Sequence, residues 1–153
     1  MNITLLDPPI FELPFTWLAS IGNLRLGIRQ RDEWCTDIRG KTTILSNPAD
    51  MMPLLPLLEI GKTAFYEHLS HVEQTYADLS NASQSFPAVF LLRFAFESSV
   101  SDYWPLKAID WLDADGTIEP TLRESLRDML SKPWLTQHLK HRVERVTKRT
   151  RRG

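Results

Sequence analysis

Two pairs of histidines are the first residues in this sequence whose type and spacing could do chemistry. His68 and His71 lie three positions apart, as do His138 and His141, so each pair shares one face if its segment is helical. Four imidazoles could in principle bind Zn²⁺, but structural zinc sites usually include cysteine, and polar residues flank both pairs. We therefore expect surface histidines and no metal site.

Acid–base catalysis would need carboxylates whose surroundings push their pKa values apart. The candidates Glu59, Glu97, Asp110 and Glu124 stand singly on predicted helices. Glu97 lies on a very apolar helix, but a hydrogen bond to a helix end or to a neighbour such as Arg93 would explain it without catalysis. We assign no catalytic residue, and a site built from Glu97, Asp110 and a histidine is the least favoured hypothesis.

Two further motifs match binding loops only in part. The segment from Asp113 to Gly116 matches the middle of a calcium-binding EF-hand loop, but Trp111 and Leu122 stand where that loop needs its first and last carboxylates. An inter-helix turn explains the same residues. The Gly-Lys-Thr triplets at residues 40–42 and 61–63 lack the earlier glycine of a phosphate-binding loop. We expect neither motif to bind a cofactor.

Length and composition bound the class of protein. A chain of 153 residues that is 42% apolar and 24% charged is ordinary for one soluble globular domain. The only cysteine, Cys35, excludes an intramolecular disulfide and indicates a reducing compartment, and we interpret it as a small half-buried residue rather than a nucleophile. The sequence shows no basic leader and no apolar run of about 18 residues. We expect a cytoplasmic protein without a membrane segment.

Proline placement and apolar periodicity predict five helices, which would have to position any functional side chain. Pro87, Pro120 and Pro133 each precede an apolar run, as expected for the first turn of a helix. The first helix has Asp50 as its predicted N-cap and an apolar stripe of Leu58, Phe65, Leu69, Val72, Tyr76 and Leu79. The predicted helices span residues 53–79, 87–97, 103–112, 120–130 and 133–147.

Short helices joined by short polar loops predict antiparallel neighbours. The predicted fold class is therefore mainly α, an antiparallel helical bundle or a short HEAT-like α-hairpin stack. We expect one domain over residues 1–153, with its helical body at residues 53–147. The apolar helix faces should be buried, and they include Phe90, Phe94, Trp111, Leu126 and Leu139.

The first 48 residues follow a different pattern. Leu24, Leu26 and Ile28 alternate with polar or small residues, which is the period of a half-buried strand, and residues 42–45 fit a second strand. Residues 15–21 fit one or two helical turns instead. We expect an irregular N-terminal segment that has room for a β-hairpin.

Between Phe86 and Arg149 the spacing of apolar residues resembles that of HEAT-type helical repeat proteins. Trp111-Leu112, a polar loop, and then Leu122, Leu126 and Leu130 are the hairpin residues that carry the resemblance. The same stretch resembles small helical bacterial immunity proteins. Both resemblances imply a binding surface and no active site.

The basic C-terminus is the strongest charge feature of the chain. Residues 138–153 hold seven Lys and Arg against one acid, so about +6 lies at one end of a chain whose net charge is −1. The first half of this segment keeps an apolar stripe, whereas residues 148–153 are expected to form a basic tail. The candidate partner-binding residues are Lys140, Arg142, Arg145, Lys148, Arg149, Arg151 and Arg152.

These features favour a non-catalytic protein, without a cofactor, that occupies the surface of another macromolecule. An immunity-type or inhibitor protein is the concrete version, since the acidic remainder of the chain suits a basic protein partner such as a nuclease. The first alternative is a nucleic-acid-binding protein that neutralises phosphates with its C-terminal tail. The second is a helical enzyme with an unrecognised site.

Overall fold

Five antiparallel strands form a sheet at the N-terminus of the computed structural model, which describes residues 2–112 and 118–149. Each strand pairs with the next one along the chain, so every connection is a short turn. The strands are β1 (Ile3–Glu12), β2 (Phe15–Ile21), β3 (Leu24–Arg29), β4 (Glu33–Ile38) and β5 (Lys41–Ile44). The chain divides into two compact units, unit 1 at Met1–Pro87 and unit 2 at Ala88–Gly153.

One face of the sheet packs on the helical residues of unit 1. The register pairs Ile28 of β3 with Trp34 of β4, so both side chains lie on this face, and both are buried. The Trp34 ring meets the edge of Phe86 at 4.9 Å between centroids, and Phe86 meets Phe65 at 4.8 Å. These aromatic contacts connect the sheet to the helices and form the core of unit 1.

Trp17 lies on the other face of the sheet, directly over Gly27 of β3. A Cβ atom at Gly27 would lie 2.1 Å from the carbonyl oxygen of Thr16 and 2.8 Å from the Trp17 ring. The next residue in β2, Leu18, is the extra residue of a bulge between Trp17 and Ala19, and it is buried too. Glycine at position 27 is therefore what allows the tryptophan to lie flat across this sheet.

The helices of unit 1 are short except for one. They are a 3₁₀ helix at Pro48–Leu54, α1 (Leu57–Ile60), α2 (Lys62–Thr75), a 3₁₀ turn at Ala77–Leu79, and α3 (Ala82–Ser85). The predicted single helix over residues 53–79 is wrong, because Gly61, with φ at 89°, ends α1 and precedes α2. The predicted cap is also wrong. Asn47 caps the 3₁₀ helix, and its side-chain oxygen accepts a hydrogen bond from the backbone N–H of Asp50 at 3.2 Å.

All regular secondary structure in the described part of unit 2 is helical. Its elements are α4 (Ala88–Ser98), α5 (Tyr103–Ile109), a 3₁₀ turn at Asp110–Leu112, α6 (Pro120–Met129) and α7 (Gln137–Arg149). Helix α4 packs against α5 and α6, and α7 packs against the same two helices. Helix α7 begins four residues later than predicted, because Thr136 acts as its cap by accepting a hydrogen bond from the N–H of Leu139 at 3.2 Å.

The predicted fold class is wrong. Helices hold 53% of the described residues but strands hold 23%, so the protein is mixed α/β rather than mainly α. The predicted irregular N-terminal segment is the five-stranded sheet. Leu24–Arg29 and Lys41–Ile44 are strands, as the alternation indicated, but β4 lies between them, and Phe15–Ile21 is strand β2 rather than helical turns.

Burial follows the predicted stripes in most places. Trp111, Leu126 and Leu139 are buried, as predicted. Phe90 and Phe94 are only half-buried, and the prediction for them is wrong, because Leu91, Leu92, Ala95 and Phe96 form the buried side of α4 instead. The stripe of the first predicted helix is buried at Leu58, Phe65, Leu69, Val72 and Leu79, while Tyr76 is half-buried.

Candidate functional site

The turn between β1 and β2 exposes apolar side chains, and residues 10–14 are called the hairpin end from here on. Leu13 is 93% exposed, Phe11 is 53% exposed and Ile10 is 42% exposed. The Phe11 ring contacts the Tyr76 ring edge-on, with 5.2 Å between ring centroids, so one side of Phe11 packs against the residue that follows α2. Exposed apolar side chains concentrated in one turn are typical of protein-binding surfaces.

Contacts at its base hold the hairpin end in place. Glu12 pairs with Arg25 of β3, and the Arg25 guanidinium lies 4.6 Å from the centre of the Trp17 ring. Phe15, the first residue of β2, stacks on Trp17 at 5.1 Å. Arg25 also approaches Asp37 of β4 at 3.6 Å. The hairpin end therefore projects from a base that is already ordered, which lowers the entropy lost when a partner binds.

Two grooves lie beside the hairpin end, on unit 1. One, of about 450 Å³, is lined by Leu13 and Pro14 together with the β3–β4 turn and residues 78–81. The other, of about 750 Å³, is lined by Pro14, the same turn, Trp34, Ser85 and neighbouring residues. Both grooves carry charges of both signs, because Arg29, Arg31 and Asp32 line each of them.

The β3–β4 turn that lines both grooves is strained. Arg31 and Asp32 adopt left-handed backbone conformations with φ of 64° and 61°, where hairpin turns ordinarily use Asn and Gly. Asp32 accepts a hydrogen bond from the Asn81 side chain at 3.1 Å, which helps to hold the turn. Arg29 pairs with Glu33 across the base of the turn. Strain of this kind persists where the surroundings enforce it and often marks a functional surface.

Five of the seven residues of the predicted basic segment belong to α7. Lys140, Arg145 and Lys148 are exposed and form no ion pair within the described residues. Arg142 differs, because it donates a hydrogen bond to the carboxylate of Asp110 at 2.7 Å. Arg149 is the last residue of α7, while Arg151 and Arg152 lie outside the described residues.

Two of the candidate acid–base residues, Glu97 and Asp110, are held by structural partners. Glu97 accepts hydrogen bonds from Arg93 at 2.9 Å and from the hydroxyl of Ser125. Burial alone would raise the pKa of Glu97, but these hydrogen bonds outweigh it and the pKa lies below its ordinary value. Asp110 pairs with Arg142, so Glu97 and Asp110 have different cationic partners. The arrangement stabilises helix packing in unit 2.

The histidines have ordinary roles where the structure describes them. The Nε2 atom of His68 lies 2.9 Å from the carbonyl oxygen of Leu18, which anchors α2 to the bulge in β2. His68 is buried, contrary to the surface position predicted for it. His71 lies 3.4 Å from a carboxylate oxygen of Asp7. No group of three or more His, Cys, Asp and Glu side chains suited to a metal occurs within residues 2–112 and 118–149.

Cys35 and the partial loop motifs have structural roles or lie outside the described residues. Cys35 is completely buried in β4, and burial raises the pKa of its thiol to about 11, so it is not a thiolate at neutral pH. Gly40 turns the chain between β4 and β5, and its N–H donates to Asp37 at 3.3 Å. The segment resembling a calcium loop, residues 113–117, lies outside the described residues.

No protein family, curated protein or solved structure matches the chain. The resemblance of residues 86–149 to HEAT-type repeats and to small bacterial immunity proteins therefore stays a prediction. Over the described residues, no helix is both long and apolar enough to cross a bilayer.

Proposed function

We propose that this is a non-catalytic binding protein that occupies the surface of a protein partner through the hairpin end of unit 1. An immunity-type or inhibitor role is the concrete form of the proposal. One observation carries it: Leu13 and Phe11, two positions apart, expose apolar side chains on a turn whose base is held by an ion pair and a cation–π contact. A leucine that is 93% exposed in a turn suits insertion into an apolar pocket of a partner.

The grooves beside the hairpin end support a protein partner over a polyanion. Arg31 and Asp32 carry opposite charges at the rim of both grooves, and Asp78 adds a second acid to the smaller one. A polypeptide offers backbone groups and side chains of both signs, whereas a phosphate backbone offers one sign only. Apolar contact at the centre with a mixed polar rim is the usual composition of a protein interface.

We also propose the cytoplasm as the compartment in which this binding takes place. The support is chemical: the sole cysteine, Cys35, is a free thiol, and disulfides are rare in reducing compartments.

Site-specific photocrosslinking in cells of the native host tests the proposal. A photoreactive amino acid at position 13 should give one crosslinked protein product, whereas the same amino acid at Ser70, an exposed position on α2, should not. The captured protein, once purified, should lose activity when the wild-type chain is added and keep it when Leu13→Asp is added. Identical products from both positions, or equal inhibition by both proteins, would contradict the proposal.

A further inference from the structure

We propose that the exposed side of α7, together with Arg127 of α6, binds the phosphate backbone of duplex nucleic acid. The inference concerns unit 2 alone and does not depend on the proposed role of the hairpin end. It differs from binding through a C-terminal tail, because the residues that carry it stand on two packed helices.

The charge composition of α7 is the first support. The helix, Gln137–Arg149, contains five Lys and Arg but a single acid, Glu144. Its buried side consists of Leu139, Val143 and Val146, which turns the cations outward. Lys140 and Lys148 flank Glu144 at four residues on either side, and neither forms an ion pair within the described residues.

The groove between α6 and α7 brings in a further cation. It measures about 210 Å³ and is lined by Arg127, Leu130, Glu144, Thr147 and Lys148. Arg127 is exposed and forms no ion pair among the residues described. Arg127, Lys140, Arg145 and Lys148 are therefore four exposed cations that form no ion pair among the described residues, and such a surface is complementary to closely spaced phosphates.

The absence of aromatic residues favours a duplex over a single strand. The sequence of α7 contains no Phe, Tyr or Trp, and proteins that bind single strands rely on such rings to stack the bases. Lys and Arg side chains on a helix can contact phosphates without reading base edges. The expected binding is therefore independent of sequence and strongly dependent on salt.

Fluorescence anisotropy with a labelled DNA duplex of random sequence tests this inference on the full chain. Four phosphate contacts should give a log–log salt slope of about −3.6, and the Arg145→Gln/Lys148→Gln variant should bring it to about −1.8 with weaker binding. The variant Lys41→Gln/Lys132→Gln removes the same charge at two exposed positions outside this surface and should leave the slope unchanged. Circular dichroism melts establish that each variant is folded.

Two more variants sharpen the result. Glu144→Gln removes the only acid of α7 and should tighten binding with an unchanged slope, because no cationic contact is lost. Deletion of residues 150–153 should leave a steep salt dependence, since the four cations named above remain. No duplex binding at low salt overturns the inference. An equal loss of affinity in both double variants would also overturn it, because binding would then depend on total charge. Complete loss of binding on truncation would overturn it too, because it would place the binding site in residues 150–153.

Discussion

The two units present their candidate surfaces in opposite ways. In unit 1 the surface is an apolar hairpin end that exists because residues distant in sequence, such as Glu12, Arg25 and Trp17, meet across a sheet. In unit 2 it is a row of cations that follows from the local period of one helix. The formal charges differ as well: residues 1–87 hold six Lys and Arg against ten acids, and residues 88–153 hold twelve against nine.

That difference suggests two kinds of partner. The exposed apolar side chains of unit 1 suit contact with a protein, while α7 of unit 2, with five Lys and Arg and one acid, suits a polyanion. The comparison also predicts different sensitivities. Unit 1 should lose stability when the sheet is disturbed, and unit 2 should lose stability when helix packing or capping is disturbed.

The largest expected effect is that of Gly27→Ala in unit 1. The new methyl group would clash with the backbone carbonyl of Thr16 and with the Trp17 ring, and moving a flexible side chain cannot relieve the backbone clash. We therefore expect the free energy of unfolding to fall by more than about 3 kcal/mol. Gly40→Ala is the control, because a Cβ atom there meets nothing within 4 Å and costs only its left-handed backbone, about 1 kcal/mol. Similar urea midpoints for the two variants would contradict the packing described for Trp17.

Leu126→Ala is the corresponding test of unit 2. Leu126 is fully buried in α6, so its truncation should lower the free energy of unfolding by about 2–5 kcal/mol. Leu130→Ala, at a partly exposed position just beyond α6, should cost far less. A melting temperature unchanged by Leu126→Ala would place that side chain on the surface.

A smaller effect is expected at the start of α6. Hydrogen bonds from the Thr121 hydroxyl and then from the N–H groups of Thr121 and Leu122 hold the pKa of Glu119 below its ordinary value. Glu119→Ala should remove this cap at a cost of about 1 kcal/mol at neutral pH. Because the folded pKa is lowered, the stabilisation is complete above the ordinary glutamate value of about 4.3 and is lost as the pH falls through the lowered pKa.

Chemical denaturation of wild type and Glu119→Ala between about pH 7 and pH 3 checks this pH dependence. The difference between their free energies of unfolding should shrink as the pH falls. Glu124→Ala on the same helix is the control and should leave α6 intact at every pH. A difference that grows on acidification would show that Glu119 is not stabilised in its charged form.

The smallest effect is a gain in stability in the strained turn of unit 1. Asn tolerates the left-handed conformation of Arg31 better than Arg does, so Arg31→Asn should stabilise unit 1 by roughly 0.5 kcal/mol. If the turn serves the protein partner, the same variant should bind that partner more weakly. Greater stability without loss of binding would leave the strain without a function.

The helices of unit 2 could be predicted from sequence because their determinants are local. Pro120 and the stripe of Leu122, Leu126 and Met129 lie within one helix, and the structure places α6 at Pro120–Met129. The cations of α7 were visible for the same reason. The ion pair of Arg142 could not be predicted, because its partner Asp110 lies 32 residues away in the sequence.

The sheet could not be predicted because its strands lack clean alternation. A bulge at Leu18 makes Trp17, Leu18 and Ala19 consecutively buried, which removes the two-residue period from β2. In β4 the buried residues include Thr36 and Asp37, whose polarity indicates a loop. Pro8 and Pro9 in β1 were an available signal, since proline within an apolar run is typical of an edge strand.

The hairpin end was missed for a different reason. Apolar residues such as Phe11 and Leu13 are normally expected in a core, and their exposure becomes apparent only when the strands on either side are paired. The sequence signal that comes closest is the position of Leu13 before Pro14, which is typical of a turn.

The central claim is that each unit carries its own binding surface. Its most direct test is to measure inhibition of the protein partner and binding of duplex DNA for the variants of both surfaces. Leu13→Asp should abolish inhibition of the captured protein partner and leave the salt slope on duplex DNA near about −3.6, as for wild type. Arg145→Gln/Lys148→Gln should halve that slope and leave inhibition of the protein partner unchanged. Loss of both activities in either folded variant would contradict the claim.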